Sequence, residues 1–325
     1  MIKERSALIM MAVYNGEHYL RQQLDSILAQ TMEDWELVVQ DDGSTDGTKA
    51  ILQEYCGRDQ RISYRENPTG CHGAYCNFHA LAAYCREKGP YRWYLFADQD
   101  DEWLPDKLEV MTGLLSGTKK PALAFADMDV IDGEGNRIFD SVGDAMGCRY
   151  VNKASLFFSH IVFGCNTIMN DALFRAVPAP DVHKEETKIL SHDNYYAKFA
   201  AVLGDVIYSR QVTMHYRRHG ENVTAGQKYS YGPARVLERM RDLQKLAKDH
   251  ALTYSQSLIV ISRLRDMGYD SARLRNIRRA ILEGGPFALA VVRKYRVDWG
   301  KPVKTVSRCL ILSLGMYKKY LTGSV

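Results

Sequence analysis

The chain predicts an α/β fold, a Rossmann-like, mostly parallel sheet with helices on both faces and a helical C-terminal extension. Three observations carry this: apolar runs short enough to be buried strands, amphipathic segments between them, and short connections joining the two. ALIMMAV, residues 7–13, reads as a strand buried on both faces. Asn15 then caps a helix whose Leu20, Leu24, Ile27 and Leu28 recur at helical spacing. Residues 35–39 form a second strand, Asp46 or Ser44 caps the helix after it, and Gly57 ends that helix. A third strand fits residues 62–65, and a helix over 74–87 is closed by Gly89. A fourth strand covers 93–97, and Pro105 opens a helix over 106–115. Beyond Pro121, the runs ALAFADMDVI and FGCNTIM extend the sheet in mixed fashion, before a helix over 194–203 ended by Gly204 and a short strand over 206–208. From about Tyr231 the spacing of Leu237, Met240, Leu243 and Leu246 is helical, so residues 1–227 are expected to form the sheet domain and 228–325 a basic helical region.

With 325 residues, 46% apolar and 25% charged, the chain can bury a full core. It shows neither a signal peptide nor an apolar run of the roughly 18 residues that a spanning helix needs. Its seven cysteines are scattered without a CxxC pair, which predicts reduced thiols, a cytoplasmic setting and no structural zinc. Residues 258–325 carry 14 Lys/Arg against 4 Asp/Glu, leaving 29 against 35 for the rest. Such a tail suits nucleic acid, an acidic partner or an anionic membrane face, and equally an ordinary solvated helical surface. Without a recognised motif or base-stacking stripe, nucleic acid is set aside.

The chemistry concentrates at the ends of strands, where ligands bind in such sheets. Asp41-Asp42-Gly43-Ser44 follows the second strand; a carboxylate there can accept the N3 hydrogen of a pyrimidine, although a turn and helix cap explains the same residues. Asp98-Gln99-Asp100-Asp101 follows the fourth. Carboxylates this close repel unless a cation compensates, and their oxygens suit Mg²⁺ or Mn²⁺. Both loops open on the same edge of the sheet. In Ser191-His192-Asp193-Asn194, a helix N-terminus keeps Asp193 ionised, as a general base requires, and an N-cap needs the same residues. In HYRRHGENV, residues 215–223, cations and imidazoles could steady a diphosphate and its metal.

The segments AVYNGEHYLRQQLDSILAQ, VVQDDGSTDGT and FADQDDEWLPDKLE, in this order and spacing, resemble the successive signatures of glycosyltransferase 2 family enzymes with the GT-A fold. The wording is similar to that of bacterial rhamnosyltransferase-like members, over residues 7 to about 223. The resemblance implies that Ala12, Tyr14, Glu17 and Asp42 line the nucleoside pocket and that Asn77 faces the donor. It also implies that Asp98 and Asp100 form the DxD that meets ribose and metal, and that Asp193 is the base, with His192 where many members have Glu. The segment from His215 resembles the YRxHGxN stretch that closes the catalytic domain, which carries Arg217 to the donor and His219 to the metal, Mg²⁺ or Mn²⁺.

The implied reaction is an inverting transfer from a nucleotide diphosphate sugar, dTDP-rhamnose first and a UDP-hexose second. The acceptor would be a saccharide or polyprenyl-linked, in bacterial cell-surface polysaccharide synthesis. A processive QxxRW motif is absent. A non-catalytic sugar-nucleotide binding protein is the rival from another class. Basic and apolar residues mix over 287–292 and 310–320, which suits a peripheral helix on the anionic inner membrane face; packing on the catalytic domain or a homo-oligomer contact explains them too.

Overall fold

In the first strand, alternate side chains enter two different cores. β1 (Ala7–Val13) sends Ala7, Ile9, Met11 and Val13 to one face of the sheet and Leu8 and Met10 to the other, all of them buried. The structure, a computed structural model, describes residues 6–220 and 243–322. After β1 come α1 (Leu20–Leu28), β2 (Trp35–Asp41), α2 (Thr48–Arg58), β3 (Ile62–Glu66), α3 (Ala74–Glu87), β4 (Trp93–Ala97), β5 (Glu102–Trp103) and α4 (Lys107–Leu114). Next are β6 (Ala122–Ile131), β7 (Arg137–Phe139), α5 (Val142–Met146), β8 (Thr167–Asn170), α6 (Asp171–Ala176), α7 (His192–Leu203) and β9 (Asp205–Arg217). The C-terminal region holds α8 (Leu243–Asp266), α9 (Ala272–Glu283), α10 (Gly285–Lys294) and α11 (Pro302–Leu314).

The described strands order as β3-β2-β1-β4-β8-β6-β9-β5, with β7 beside β6. β3, β2, β1 and β4 are parallel, so their carboxyl ends share one edge, while β8 runs antiparallel between β4 and β6. The strands and helices thus form the mixed α/β architecture expected. Four local expectations are corrected. Asn15 does not cap α1; it takes a left-handed conformation (φ 47°), and its side chain accepts a hydrogen bond from Thr45 N at 2.9 Å. Ser44 does not cap α2, because its hydroxyl meets Asn15 N, whereas Asp46 does accept from Thr48 N at 3.1 Å. Gly57 lies within α2. The strand placed at 206–208 extends to Arg217, since its parallel pairing with β6 continues through two register shifts.

The boundary expected between residues 227 and 228, with Leu237 and Met240, lies outside the described residues. The helices C-terminal to it pack against the sheet domain: Tyr254, Val260, Ile261, Ile277, Ile281, Ile311 and Leu312 are buried in the same core as Phe96, Phe157 and Tyr196. Trp299 Nε1 donates to Phe158 O at 3.1 Å and Ser257 Oγ to Phe157 O at 2.8 Å. Among the described residues no helix is long and apolar enough to cross a membrane. Cys71 and Cys76 are joined in a disulfide, so the expected full reduction of the cysteines is corrected for that pair; the turn into α3 brings them together. Cys56, Cys85, Cys148, Cys165 and Cys309 are free thiols.

Candidate active site

The carboxyl ends of β1, β2 and β4 open into a cavity of about 1370 Å³, closed by the starts of α3 and α7 and, on its far side, by α8 and α11. Side chains tie its loops together. Gln99 grips the backbone of Tyr14 twice, accepting from its N–H at 2.7 Å and donating to its carbonyl at 3.0 Å. Gly16 must lack a side chain here, because a Cβ would lie 2.8 Å from the Gln99 amide. Asn15 and Gly16 N–H groups donate to Ser44 Oγ and Thr48 Oγ1, each at 2.8 Å, which ties the loop after β1 to the loop after β2 and the start of α2.

Asp42 faces the cavity with its carboxylate fixed: Oδ1 accepts from Asn67 Nδ2 at 2.7 Å and meets His72 Nδ1 at 3.1 Å, while Oδ2 accepts from Gly73 N at 2.6 Å. Ala12, Tyr14 and Asn77 also line the cavity, although the Asn77 amide is engaged with Gln40 at 2.8 and 3.1 Å. Glu17 is not among the lining residues; its carboxylate accepts from Gly47 N and fixes the start of α2. Arg217 is likewise absent from the lining. Buried, it donates from Nε to Asp100 O at 3.0 Å and from its backbone to Asp101 Oδ1 at 3.1 Å, stacking on Tyr19, so it braces the DxD loop from behind.

Asp98 and Asp100 both face the cavity. Burial, then Asp100 and Asp193, push Asp98 up to about 7, which a nearby cation would reverse. His219 Nε2 lies 2.7 Å from Asp100 Oδ2. Two donor atoms so close match neighbouring ligands of one hard cation, which at metal–ligand distances of ~2.1 Å sit about 3 Å apart. A second cluster, Asp98, Asp101 and Cys165, has potential donor atoms within 4.8 Å of one another. It fits such a cation less well: Asp101 and Cys165 are buried, burial with Asp101 and Asp98 keeps the Cys165 thiol protonated whereas sulfur ligates as the thiolate, and sulfur is a soft donor for a hard cation. Lys107, buried beneath and donating to Cys165 O at 2.8 Å, is pushed down to about 7 by burial.

Across the cavity, α7 begins at His192, two residues earlier than expected, which sets Asp193 in its first turn. Asp193 Oδ2 meets His160 Nε2 at 3.0 Å and Gly164 N at 3.2 Å, and Oδ1 accepts from Asn194 N at 2.6 Å. Burial alone would raise its pKa; His160, His192 and the backbone N–H outweigh it and hold the carboxyl well below the usual range. The His192 ring lies against Phe78 with ring centroids 3.9 Å apart, burial pushes it down to about 4, and neither ring nitrogen has a hydrogen-bond partner among the described residues. The structure therefore gathers eight of the ten expected residues on one cavity and leaves Glu17 and Arg217 behind it. Sequence reasoning missed Gln99, although it stands inside the DQD run, and His160, a lone histidine in an apolar stretch with no periodic signal. It also missed the wall supplied by Lys245, His250 and Arg308.

Residues 8–177 match the family model of glycosyl transferase family 2. Over 179 residues the chain is 28% identical to the Escherichia coli UDP-Glc:alpha-D-GlcNAc-diphosphoundecaprenol beta-1,3-glucosyltransferase WfgD, covering 55% of this chain and 65% of that protein. The first curated relatives are likewise matched over 65% of their length. Among solved structures, Staphylococcus aureus TarS residues 1–349 with UDP-GlcNAc superimposes with a TM-score of 0.54 at 14% identity, covering 97% of this chain and 90% of that one. A mannosyltransferase from Pyrobaculum calidifontis with GDP-Man and Mn²⁺ gives 0.51 at 13%, covering 98% and 88%. These two likenesses establish the fold, GT-A with C-terminal helices.

Proposed function

The chain belongs to glycosyl transferase family 2, whose model spans residues 8–177, and from that premise we propose that it is a metal-dependent inverting glycosyltransferase of bacterial cell-surface polysaccharide synthesis. One observation carries the reading: a fixed carboxylate at Asp42, a DxD with a histidine partner, and an ionised carboxylate at the start of α7 meet on one cavity. Asp42 accepts an N–H from the base and Asp98 meets the ribose. Asp100 and His219 would hold Mg²⁺ or Mn²⁺, which when bound offsets the charge of the departing diphosphate. Asp193 supplies the negative charge that draws the proton from the acceptor hydroxyl. That oxygen attacks the anomeric carbon opposite the leaving nucleotide diphosphate, and the configuration inverts.

The cavity exceeds the roughly 300–1,000 Å³ of a single small-molecule pocket, which supports room for donor and acceptor together. The motif wording favours dTDP-rhamnose as donor, while the UDP sugars named with WfgD and TarS keep UDP-hexoses as the second choice. The acceptor is a saccharide or polyprenyl-linked. On α11, Val303, Val306, Leu310 and Leu314 are exposed, and Lys318 and Lys319 are exposed just beyond its end, a face suited to an anionic membrane and a peripheral cytoplasmic placement. Absence of binding of the whole protein to anionic vesicles would overturn that placement. The function is tested by nucleotide release with Mn²⁺ or Mg²⁺ across dTDP- and UDP-sugars, with simple glycoside and lipid-linked acceptors. Acceptor-dependent release from one donor is expected. Metal-dependent nucleotide binding with no turnover on any pair favours a binding protein instead.

A further inference from the structure

Asp193 is poorly disposed to receive a proton itself. Both of its oxygens are engaged, Oδ1 by Asn194 N and Oδ2 by Gly164 N and His160, and the residue is only 8% exposed. His160 differs on each count. Its side chain is 33% exposed and lines the cavity, and Nε2 meets Asp193 at 3.0 Å. With Nε2–H donated to the carboxylate, Nδ1 carries the lone pair and no partner for it is found among the described residues. A carboxylate fixing one imidazole nitrogen while the other faces the substrate is the arrangement that turns a histidine into a general base.

We propose that His160 and Asp193 act as a dyad in which His160 Nδ1 takes the proton of the acceptor hydroxyl and Asp193 orients the ring and balances the imidazolium. This rests on the glycosyltransferase reading and assigns its proton. The acceptor O–H bond breaks, its proton passes to Nδ1, and its oxygen bonds to the anomeric carbon. The bond from that carbon to phosphate oxygen breaks, with the electron pair leaving on the nucleotide diphosphate. His160 then returns the proton to solvent, which its exposure allows. Among the described residues, the other titratable groups around the pair are His192 and Lys198 from α7, Tyr75 and His79 from α3 and Asp98 after β4, with Lys245, Asp249 and His250 of α8 on the same cavity.

The test compares wild type, His160→Ala and His160→Gln for transfer, with nucleotide binding in the presence of Mn²⁺ as the check that each variant is folded. Glutamine can still donate to Asp193 but cannot take a proton. The dyad predicts that both variants bind nucleotide as wild type and lose about 10²–10⁴-fold in kcat. Added imidazole should restore His160→Ala in a saturable manner, and a series of substituted imidazoles should follow their basicity. Near-wild-type kcat in His160→Gln, or a slow His160→Ala that imidazole does not rescue, overturns the dyad and leaves Asp193 as direct base. A wild-type protein that transfers no sugar from any donor overturns the transferase reading itself, and the dyad with it.

Discussion

Asp98 and Asp193 are carboxylates on one cavity whose surroundings drive them in opposite directions. Burial, then Asp100 and Asp193, push Asp98 up to about 7, so a cation at the site would favour its charged form. His160 and backbone N–H groups keep Asp193 ionised well below neutral pH despite its burial. Environments that separate like groups in this way divide their roles. Asp193→Asn keeps the shape but removes the charge, so nucleotide binding should persist while kcat falls by about 10²–10⁴-fold; wild-type transfer in that variant removes Asp193 from the chemistry. His219→Ala takes away one of two adjacent donor atoms. It should raise the half-saturating Mn²⁺ concentration by roughly 10–100-fold, read from a metal titration of nucleotide release. An unchanged titration would exclude His219 from the cation site.

At the scale of elements, the first turn of α7 is fitted to the segment before β8. A Cβ on Gly164 would stand 2.0 Å from His192 Nε2, and Gly164 N also donates to Asp193. Gly164→Ala therefore has to displace the turn carrying both residues. We expect a loss of about 1–3 kcal/mol in stability with at least a tenfold fall in kcat, measured by thermal melting and by turnover. A fully active variant would show that this turn adapts freely. Such a fit is not legible in the sequence, where Gly164 and His192 lie far apart. What was legible were the elements with strong local pattern: β1, α3, β4 and β6 have the bounds expected of them, because apolar runs and flanking glycines fix them locally. The DxD and the SHDN motif were legible as well, each being a cluster at a strand or helix end. Glu17 and Arg217 look functional from their motifs, yet tertiary partners on the second and fourth strand-end loops turn both carboxylate and guanidinium to bracing. β9 read as short because DVIYSRQVTMHYR lacks continuous apolar alternation, and pairing with β6 and β5 sustains its full length.

Across the whole molecule, α8 to α11 complete the core on one face of the sheet. Each fully buried Leu, Ile or Val there contributes about 1.5–3 kcal/mol, and Tyr254, Val260, Ile261, Ile277, Ile281, Ile311 and Leu312 all belong to it. A chain cut at residue 242 should expose that face, aggregate on expression and show no cooperative melting; a soluble, nucleotide-binding fragment would refute this. The joint is also polar. Gln256 on α8 accepts from Asn194 Nδ2 at 3.1 Å and donates to Ile189 O at 2.6 Å, so the C-terminal region holds the residue next to Asp193. The C-terminal helices are consequently not an exchangeable cassette: a chimaera that borrows them from another family member must also bring a partner for Asn194, and the two halves of the chain can diversify only in step.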